Sequence, residues 1–482
     1  MAQAPHSVHA SPLPRARPAT ALDALFVHVP RWVGDRREIM VMPLGLPALA
    51  NLLADAGRRV EVVHLGIERE VDPGFSPRGM LLATSPKVVF LTLHWHYQTR
   101  PVIDFAYRTR MWLPEARIIL GGLTATAFAS EIVGNLRFID GVVRGDGEEP
   151  VRALARVLLD GQGTLADVPN LVWRDADGEV IHNEHGWVLD ESVAEGLRHG
   201  DLALLRNRQA YVARALYADF SEGAAGSEGY GHAAYLNAGR GCTADCVSCG
   251  GSRESQLLTT HRDGLLLYSI AKLQRDLRDA MADGARVLRC SFDPPHARAH
   301  VRRWFEAIRA EGMRLRLIYD LWYLPTPAFL DDWQRTFEPG SVAVISPESG
   351  SEAVRYRVRG LPFRNDRLLA AIRACEDRGI GVHCFFSAGL PTETGQDIDT
   401  TARLIERIRS TTRAAVSVCP MVLDPASPLF LHPGKFGARL LRQSLKDYYD
   451  GVGLPEGPGY ETDQFDEAGI LEACNRLLAL TR

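Results

Sequence analysis

The sequence predicts an α/β protein made of two parallel-sheet units in series, and three observations lead there. Short apolar runs alternate with helix-length segments over residues 21–160 and again over 231–429. That alternation builds parallel sheets covered by helices. Several of the runs stop at glycines, as strands do where such a sheet opens onto a ligand. The chain has 482 residues, 46% hydrophobic and 24% charged. That supports about three folding units with large cores and excludes wholesale disorder.

The elements follow in order. Residues 1–20 are rich in Ala, Pro and Ser, and their His and Arg residues interrupt any apolar stretch. They read as a loose tail, not as a signal peptide. Residues 24–29 read as a first strand, 44–56 as a helix stopped by Gly57, and 59–65 as a second strand. Residues 87–93 give a third strand, followed by a helix reaching Trp112. Residues 116–120 give a fourth that stops at Gly121-Gly122, and 138–143 a fifth that stops at Gly145-Asp146-Gly147. Residues 161–230 read as a connector, with a small hairpin around Leu171-Val172-Trp173 and a flexible Gly/Ser/Ala loop at 221–231. Strands recur at 234–237, 287–291, 315–319, 342–345, 382–388 and 415–419, which fits a partial (β/α)6 barrel over 231–429. Residues 430–482 carry helical Leu/Ala/Arg patterns and a loop at 451–459. They are expected to cap the barrel mouth, with Tyr448, Tyr449 and Tyr460 as candidate pocket residues.

Composition narrows the function. No apolar run approaches the ~18 residues of a membrane span, and a net charge of −4 offers no broad basic surface for nucleic acid. Only four of the 55 basic residues are lysines (Lys87, Lys272, Lys435, Lys446), which reflects a GC-rich coding bias before it reflects chemistry. Eight cysteines are too dilute for a disulfide scaffold, so a reduced, cytoplasmic protein is expected.

Three of the eight cysteines are clustered. Cys242, Cys246 and Cys249 form C-x3-C-x2-C directly after a predicted strand. A closed zinc site usually takes four protein ligands, and no further Cys or His follows Cys249 until His261. A cubane held by three thiolates keeps one iron open for a ligand. Coincidental clustering in a Gly-rich loop is the bland alternative.

The loop resembles the cluster loop of the radical S-adenosylmethionine (SAM) superfamily, which follows the first barrel strand, and Gly250-Gly251-Ser252 also fits. Ser248 departs from it, since many members carry an aromatic residue before the last cysteine. Further matches follow in the family's order: Ser291-Phe292-Asp293-Pro294, Pro347-Glu348-Ser349-Gly350-Ser351-Glu352 with Arg359, and Gly389-Leu390-Pro391-Thr392-Glu393-Thr394. The resemblance covers residues 234 to 430 and implies a [4Fe-4S] cluster on Cys242, Cys246 and Cys249. It also implies SAM contacts at Gly250, Asp293, Glu348, Ser349, Arg359, Gly389 and Leu390. At Arg359 the resemblance implies a guanidinium placed to meet the SAM carboxylate bidentately.

The first unit is similar to the cobalamin-binding domain that precedes many such barrels, through residues 118–126 and 140–148. That likeness implies a Rossmann-like domain with the nucleotide tail of cobalamin along Gly121, Gly122 and Thr124, with Gly145 nearby. Leu93-His94-Trp95-His96-Tyr97 ends the third strand on the corrin side, which makes His94, Trp95 and His96 candidates. No D-x-H-x-x-G stretch occurs, so cobalt is expected without that histidine ligand. A flavodoxin-like domain with no ligand is the alternative.

Together the resemblances imply a cobalamin-dependent radical SAM enzyme, foremost a C-methyltransferase on an unactivated carbon of a small molecule in specialised metabolism. By the family's chemistry, SAM cleavage gives a 5′-deoxyadenosyl radical, and cobalamin relays a methyl group to the substrate radical. An external electron donor such as flavodoxin or ferredoxin is implied. A cobalamin-dependent cyclase or rearrangement enzyme is the second reading, and a non-catalytic cobalamin sensor or carrier comes from another class.

Overall fold

The computed structural model describes residues 21–33, 36–37, 41–214, 231–451 and 457–481. The tail at 1–20, most of the loop at 221–231 and part of the loop at 451–459 lie outside the described residues.

The first unit begins with β1 (Ala24–His28), whose five residues are all buried, as in a strand covered on both faces. Helix α1 (Gly45–Asp55) ends before Gly57, whose φ of +77° carries the chain out of the helix. Then come β2 (Val60–His64), β3 (Val88–Thr92), α2 (Thr99–Trp112), β4 (Arg117–Gly121) and β5 (Gly141–Val143). Helix α3 (Glu148–Asp160) lies against α1. Among the described residues this sheet runs β2-β1-β3-β4-β5 with all neighbours parallel. That order places a topological switch point between β1 and β3, where doubly wound sheets bind ligands.

Two departures from expectation appear here. The fifth strand starts at Gly141 because residues 136–139 turn, with Ile139 N–H donating to Leu136 C=O, and the Asp140 carboxylate is taken by Ile118 N–H and Arg110. The hairpin β6 (Leu171–Arg174) and β7 (Val180–His182) is not isolated in a connector. It pairs antiparallel with β5 and extends the sheet to seven strands.

The second unit opens with β8 (Ala233–Tyr235). A hairpin follows, β9 (Gly239–Cys242) against β10 (Gly264–Leu267), with α4 (Arg253–Thr260) between its arms. The barrel continues through β11 (Val287–Cys290), β12 (Arg316–Leu321), β13 (Val342–Glu348), β14 (Gly381–Ala388) and β15 (Ala415–Pro420). Helix α5 (Glu352–Arg359) follows β13. Among the described residues, β8-β11-β12-β13-β14-β15 is a six-stranded parallel sheet, as the strand count predicted.

The C-terminal segment adds β16 (Ala438–Leu440), α6 (Leu445–Asp450), β17 (Tyr460–Thr462) and α7 (Glu467–Ala479). It fastens the two units together. Arg100 on α2 donates to the Tyr449 carbonyl at 2.9 Å, the Tyr449 hydroxyl donates to Asp104 at 2.7 Å, and Leu445 N–H donates to Glu131 at 2.8 Å. Tyr448 and Tyr460 are buried, their hydroxyls donating to the carbonyls of Leu423 and Gly389. None of the three tyrosines lines the cleft described below; they pack at domain seams. No helix among the described residues is long and apolar enough to cross a membrane.

Candidate functional site

The carboxyl ends of both sheets face one cleft of about 1020 Å³. On the first-unit side it is lined by Phe26, Phe90, Thr92, His94, Trp95, Gly121, Gly122 and Gly145. On the barrel side it is lined by Cys242, Cys246, Cys249, Glu348 and Arg359, with Tyr235, Ser291 and Asp320 deeper in the barrel.

The cysteine loop does not spring from the first barrel strand, as the sequence led one to expect. Cys242 ends the hairpin arm β9. At Gly241 the φ is +102° and a Cβ would lie 2.2 Å from the Gly264 carbonyl, so the arms approach this closely only with glycine there. The loop is fastened on both sides: Val247 N–H donates to Val358 C=O and Leu429 N–H to Val247 C=O, each at 2.9 Å. Ala244 N–H and Gly251 N–H point at the sulfurs of Cys242 and Cys249, both at 3.3 Å. Ser252 then caps α4 by accepting from Ser255 N–H.

Burial pushes the Cys242 thiol up. The Cys249 thiol is pushed up to about 12, first by the protein packed around it and then by the Asp424 charge. All eight cysteines are free. Among the described residues no three His, Cys, Asp or Glu side chains converge tightly enough to hold a single metal ion. Cys242, Cys246 and Cys249 all line the cleft, and a cubane takes its thiolates at separate corners and keeps one iron open.

Beside them Arg359 donates to Glu348 Oε1 at 2.8 Å and to the Ser346 carbonyl at 3.0 Å, while Ser387 donates to Glu348 Oε2 at 2.7 Å. Burial opposes the Arg359 charge, but Glu348 and Cys246 more than compensate and raise its pKa. Glu348 has a φ of +63° at a register shift in the β13–β14 pairing. A non-glycine residue held there is backbone strain of the kind stored at functional sites.

Other predicted SAM contacts stand elsewhere. Asp293 is fully buried, clamped by Arg298 at 2.9 and 2.6 Å and by Trp322 N–H at 2.9 Å, so its carboxylate faces the barrel wall. Gly389 and Leu390 are turned away as well. Their N–H groups are capped by the buried Glu393 carboxylate at 2.9 and 3.2 Å, and Tyr460 and Ile470 of the C-terminal segment cover the turn. Ser349 is buried between Glu393 and Thr401. Gly250 lies behind the cysteines, its N–H donating to Asp424 at 2.8 Å. These positions support the site from behind, Asp293 held by Arg298, Ser349 by Glu393 and Thr401, and Gly250 by Asp424, while the C-terminal segment covers the Gly389-Leu390 turn.

On the first unit, His28, Thr92 and Gly121 are register partners at the strand ends. Among the described residues the two His28 ring nitrogens and the Thr92 hydroxyl are buried with no hydrogen-bond partner. Gly122, at φ +112°, packs so close that a Cβ would lie 2.6 Å from the Leu93 carbonyl. His94 borders the cleft edge-on to Trp95, and burial lowers its pKa to about 4, so its imidazole is neutral. Thr124 does not face the cleft; its hydroxyl donates to the His94 carbonyl at 3.0 Å and fastens that loop. His96 turns instead to Asp424, 3.4 Å away.

Sequence reasoning missed two further groups. Asp146, in the loop carrying Gly145, accepts from Arg262 and, at 2.7 Å, from Arg240, while Glu148 accepts from Arg240 at 2.8 Å. These bonds lock the first unit onto the cysteine hairpin. Inside the barrel the Tyr235 hydroxyl donates to Ser291, Ser291 donates to Asp320, and Arg289 reaches Asp320 at 3.1 Å. The available signal was polar residues at the carboxyl ends of apolar runs, Ser291 and Asp320.

Residues 236–405 match the Radical SAM superfamily. The chain is 26% identical over 274 residues to hopanoid C-3 methylase of Methylococcus capsulatus, covering 56% of this chain and 46% of that protein. It is 32% identical over 97 residues to an uncharacterized protein of Methanocaldococcus jannaschii, covering 20% of this chain and 21% of that one. It thus spans at most about half the length of these relatives. The fold is similar to the radical SAM methyltransferase TsrM of Kitasatospora setae, solved with cobalamin and a [4Fe-4S] cluster (TM-score 0.69, 15% identity, 96% of this chain and 89% of that one). It is also similar to OxsB, a cobalamin-dependent SAM radical enzyme solved with aqua-cobalamin and SAM (TM-score 0.64, 15% identity, 95% and 66%). At such identities the likeness is one of fold, and it extends over both units. The cysteine loop lies inside the stretch, residues 236–405, that matches the Radical SAM superfamily.

Proposed function

We propose that the chain is a cobalamin-dependent radical SAM enzyme, a C-methyltransferase acting on an unactivated carbon of a small molecule in specialised metabolism. The observation that carries this reading is the single cleft where three free cysteines face the switch-point end of a doubly wound sheet. The relatives agree with it, since one is named a methylase and the two solved neighbours were seen with cobalamin.

The residues fit the groups. Cys242, Cys246 and Cys249 would hold the cluster, and Arg359 and Glu348 stand beside it for the charged and hydroxyl groups of SAM. His94, Trp95, Gly121, Gly122 and Gly145 border the space for cobalamin, and the Thr92 hydroxyl on the same wall, buried and without a partner among the described residues, calls for a polar partner. When bound, these cofactors supply a one-electron cleavage of SAM and a methyl carrier. The chain does the rest. Phe90, Phe292 and Trp322 wall the cleft against water, the neutral His94 adds no charge there, and the clamp of Asp146 and Glu148 on Arg240 and Arg262 holds the two units face to face. A small-molecule substrate and an external one-electron donor, such as flavodoxin or ferredoxin, complete the proposal.

The test is anaerobic turnover of reconstituted protein with metabolite extract and SAM bearing a trideuterated methyl group. Methyl transfer should give a product three deuteriums heavier, with S-adenosylhomocysteine and 5′-deoxyadenosine in similar amounts. A product of unchanged carbon count without S-adenosylhomocysteine would assign the chain to cyclisation or rearrangement. Cobalamin binding without any SAM cleavage would make it a sensor or carrier.

A further inference from the structure

We propose that Asp424 is a positioning residue that couples the cluster loop to the corrin-side loop, so that each cofactor site senses whether the other is filled. This rests on the cofactor assignment made above. Asp424 follows β15, in the segment before the short helix Pro428–Leu431. One carboxylate oxygen accepts the Gly250 N–H at 2.8 Å, immediately after Cys249, and the other lies 3.4 Å from His96 Nδ1. Two loops from different units therefore meet on one side chain.

The contact is built, not incidental. A Cβ on residue 250 would lie 2.6 Å from the Pro425 carbonyl and 2.8 Å from the Asp424 carboxylate, so the cysteine loop has no slack against this segment. Leu429 N–H bonds Val247 C=O at 2.9 Å, which pins the same segment to the middle of the cysteine loop. On the other side His96 is mostly buried and packs edge-on against Tyr448. Its neighbours His94 and Trp95 line the cleft, and Trp95 N–H and Val29 C=O are tied together through Gln98 at 3.2 and 2.8 Å. A ligand seated against His94 and Trp95 thus orders His96, which fixes Asp424 and, through Gly250, the backbone beside Cys249.

Coupling of this kind is reciprocal. If the cluster changes cobalamin affinity by a factor α, cobalamin changes cluster binding by the same factor, typically about 5–150-fold. The experiment measures hydroxocobalamin affinity on cluster-free and cluster-loaded full-length protein, and the electron paramagnetic resonance spectrum of the reduced cluster with and without hydroxocobalamin. We expect α of at least about 5 in the parent, with a cobalamin-dependent change in the cluster spectrum. In Asp424→Ala both should vanish, α falling to about 1, while each cofactor still binds alone. His96→Ala leaves the Gly250 bond intact and should likewise drop α, which keeps the test open if Asp424→Ala does not fold. Unchanged α in both variants, or α of 1 in a parent that binds both cofactors, would overturn the coupling while leaving the cofactor reading intact. A parent that binds no cobalamin would overturn both.

Discussion

Replacing Asp146 by Ala should loosen the seam between the two units by about 3 kcal/mol. Asp146 is 7% exposed and accepts from Arg240, Arg262 and Leu189 N–H. Breaking a buried ion pair from one side costs about 3–5 kcal/mol, chiefly by leaving the other charge unpaired. The low end applies here. Arg240 keeps Glu148 and is partly open to solvent, whereas among the described residues the buried Arg262 side chain keeps the Leu189 carbonyl at 3.1 Å. For a unit of roughly 200 residues this corresponds to a fall of about 6–12 °C in melting temperature. Calorimetry on D146A, R262L and the double variant measures it, and the cycle should return a coupling of about 1.5 kcal/mol or more. The pH dependence has a fixed sign. Burial pushes the Asp146 carboxyl up, but Arg240 and Arg262 outweigh it and hold the pKa below the usual value. The stabilisation is therefore complete above the unfolded pKa of about 3.9 and is lost as pH falls through the lower folded value. The parent–variant gap should persist from pH 8 to 5 and close in strong acid. A loss under about 0.5 kcal/mol at pH 7, the range of an ordinary surface substitution, or a coupling near zero, would refute the account of the seam.

The remaining predictions concern the site and its supports. Replacing Cys242, Cys246 and Cys249 together by Ala should abolish iron retention, read by iron and sulfide analysis, while hydroxocobalamin still binds. Because the Cys242 and Cys249 thiols are held up, cluster assembly must expel protons, so reconstitution at fixed iron should improve from pH 7 to pH 9; a flat profile would contradict this. Gly122→Ala forces a side chain at φ +112° and 2.6 Å from the Leu93 carbonyl, and should cost about 2 kcal/mol or more in calorimetry together with most of the cobalamin affinity. The Glu393 carboxyl is pushed up to about 7, first by burial. Its contribution is present below the unfolded pKa and lost as pH rises through about 7. Glu393→Gln should flatten the stability profile between pH 5 and 8, and a variant that keeps the parent's slope would show the slope arises elsewhere.

What the sequence by itself determined is what depends on local pattern. Strand and helix alternation placed the five parallel strands of the first sheet and all six barrel strands, because apolar periodicity and glycine stops are written in consecutive residues. The same locality exposed Cys242, Cys246 and Cys249, since the three fall within eight positions, and it marked Gly121 and Gly122 through the strand that ends there. Tertiary structure alone decided which motif residues face the cleft. Asp293 looked like a ligand contact until Arg298 claimed it, and Gly389 and Leu390 are hidden because Tyr460 and Ile470, about 70 residues downstream or more, cover their turn. The seam on Asp146 and the bridge through Asp424 were illegible for the same reason. Arg240 and Arg262 lie 94 and 116 residues from Asp146, and Gly250 lies 174 from Asp424. Ion pairs and single hydrogen bonds leave no periodic trace in a sequence; they exist only where the packed sheets bring such distant side chains to one point.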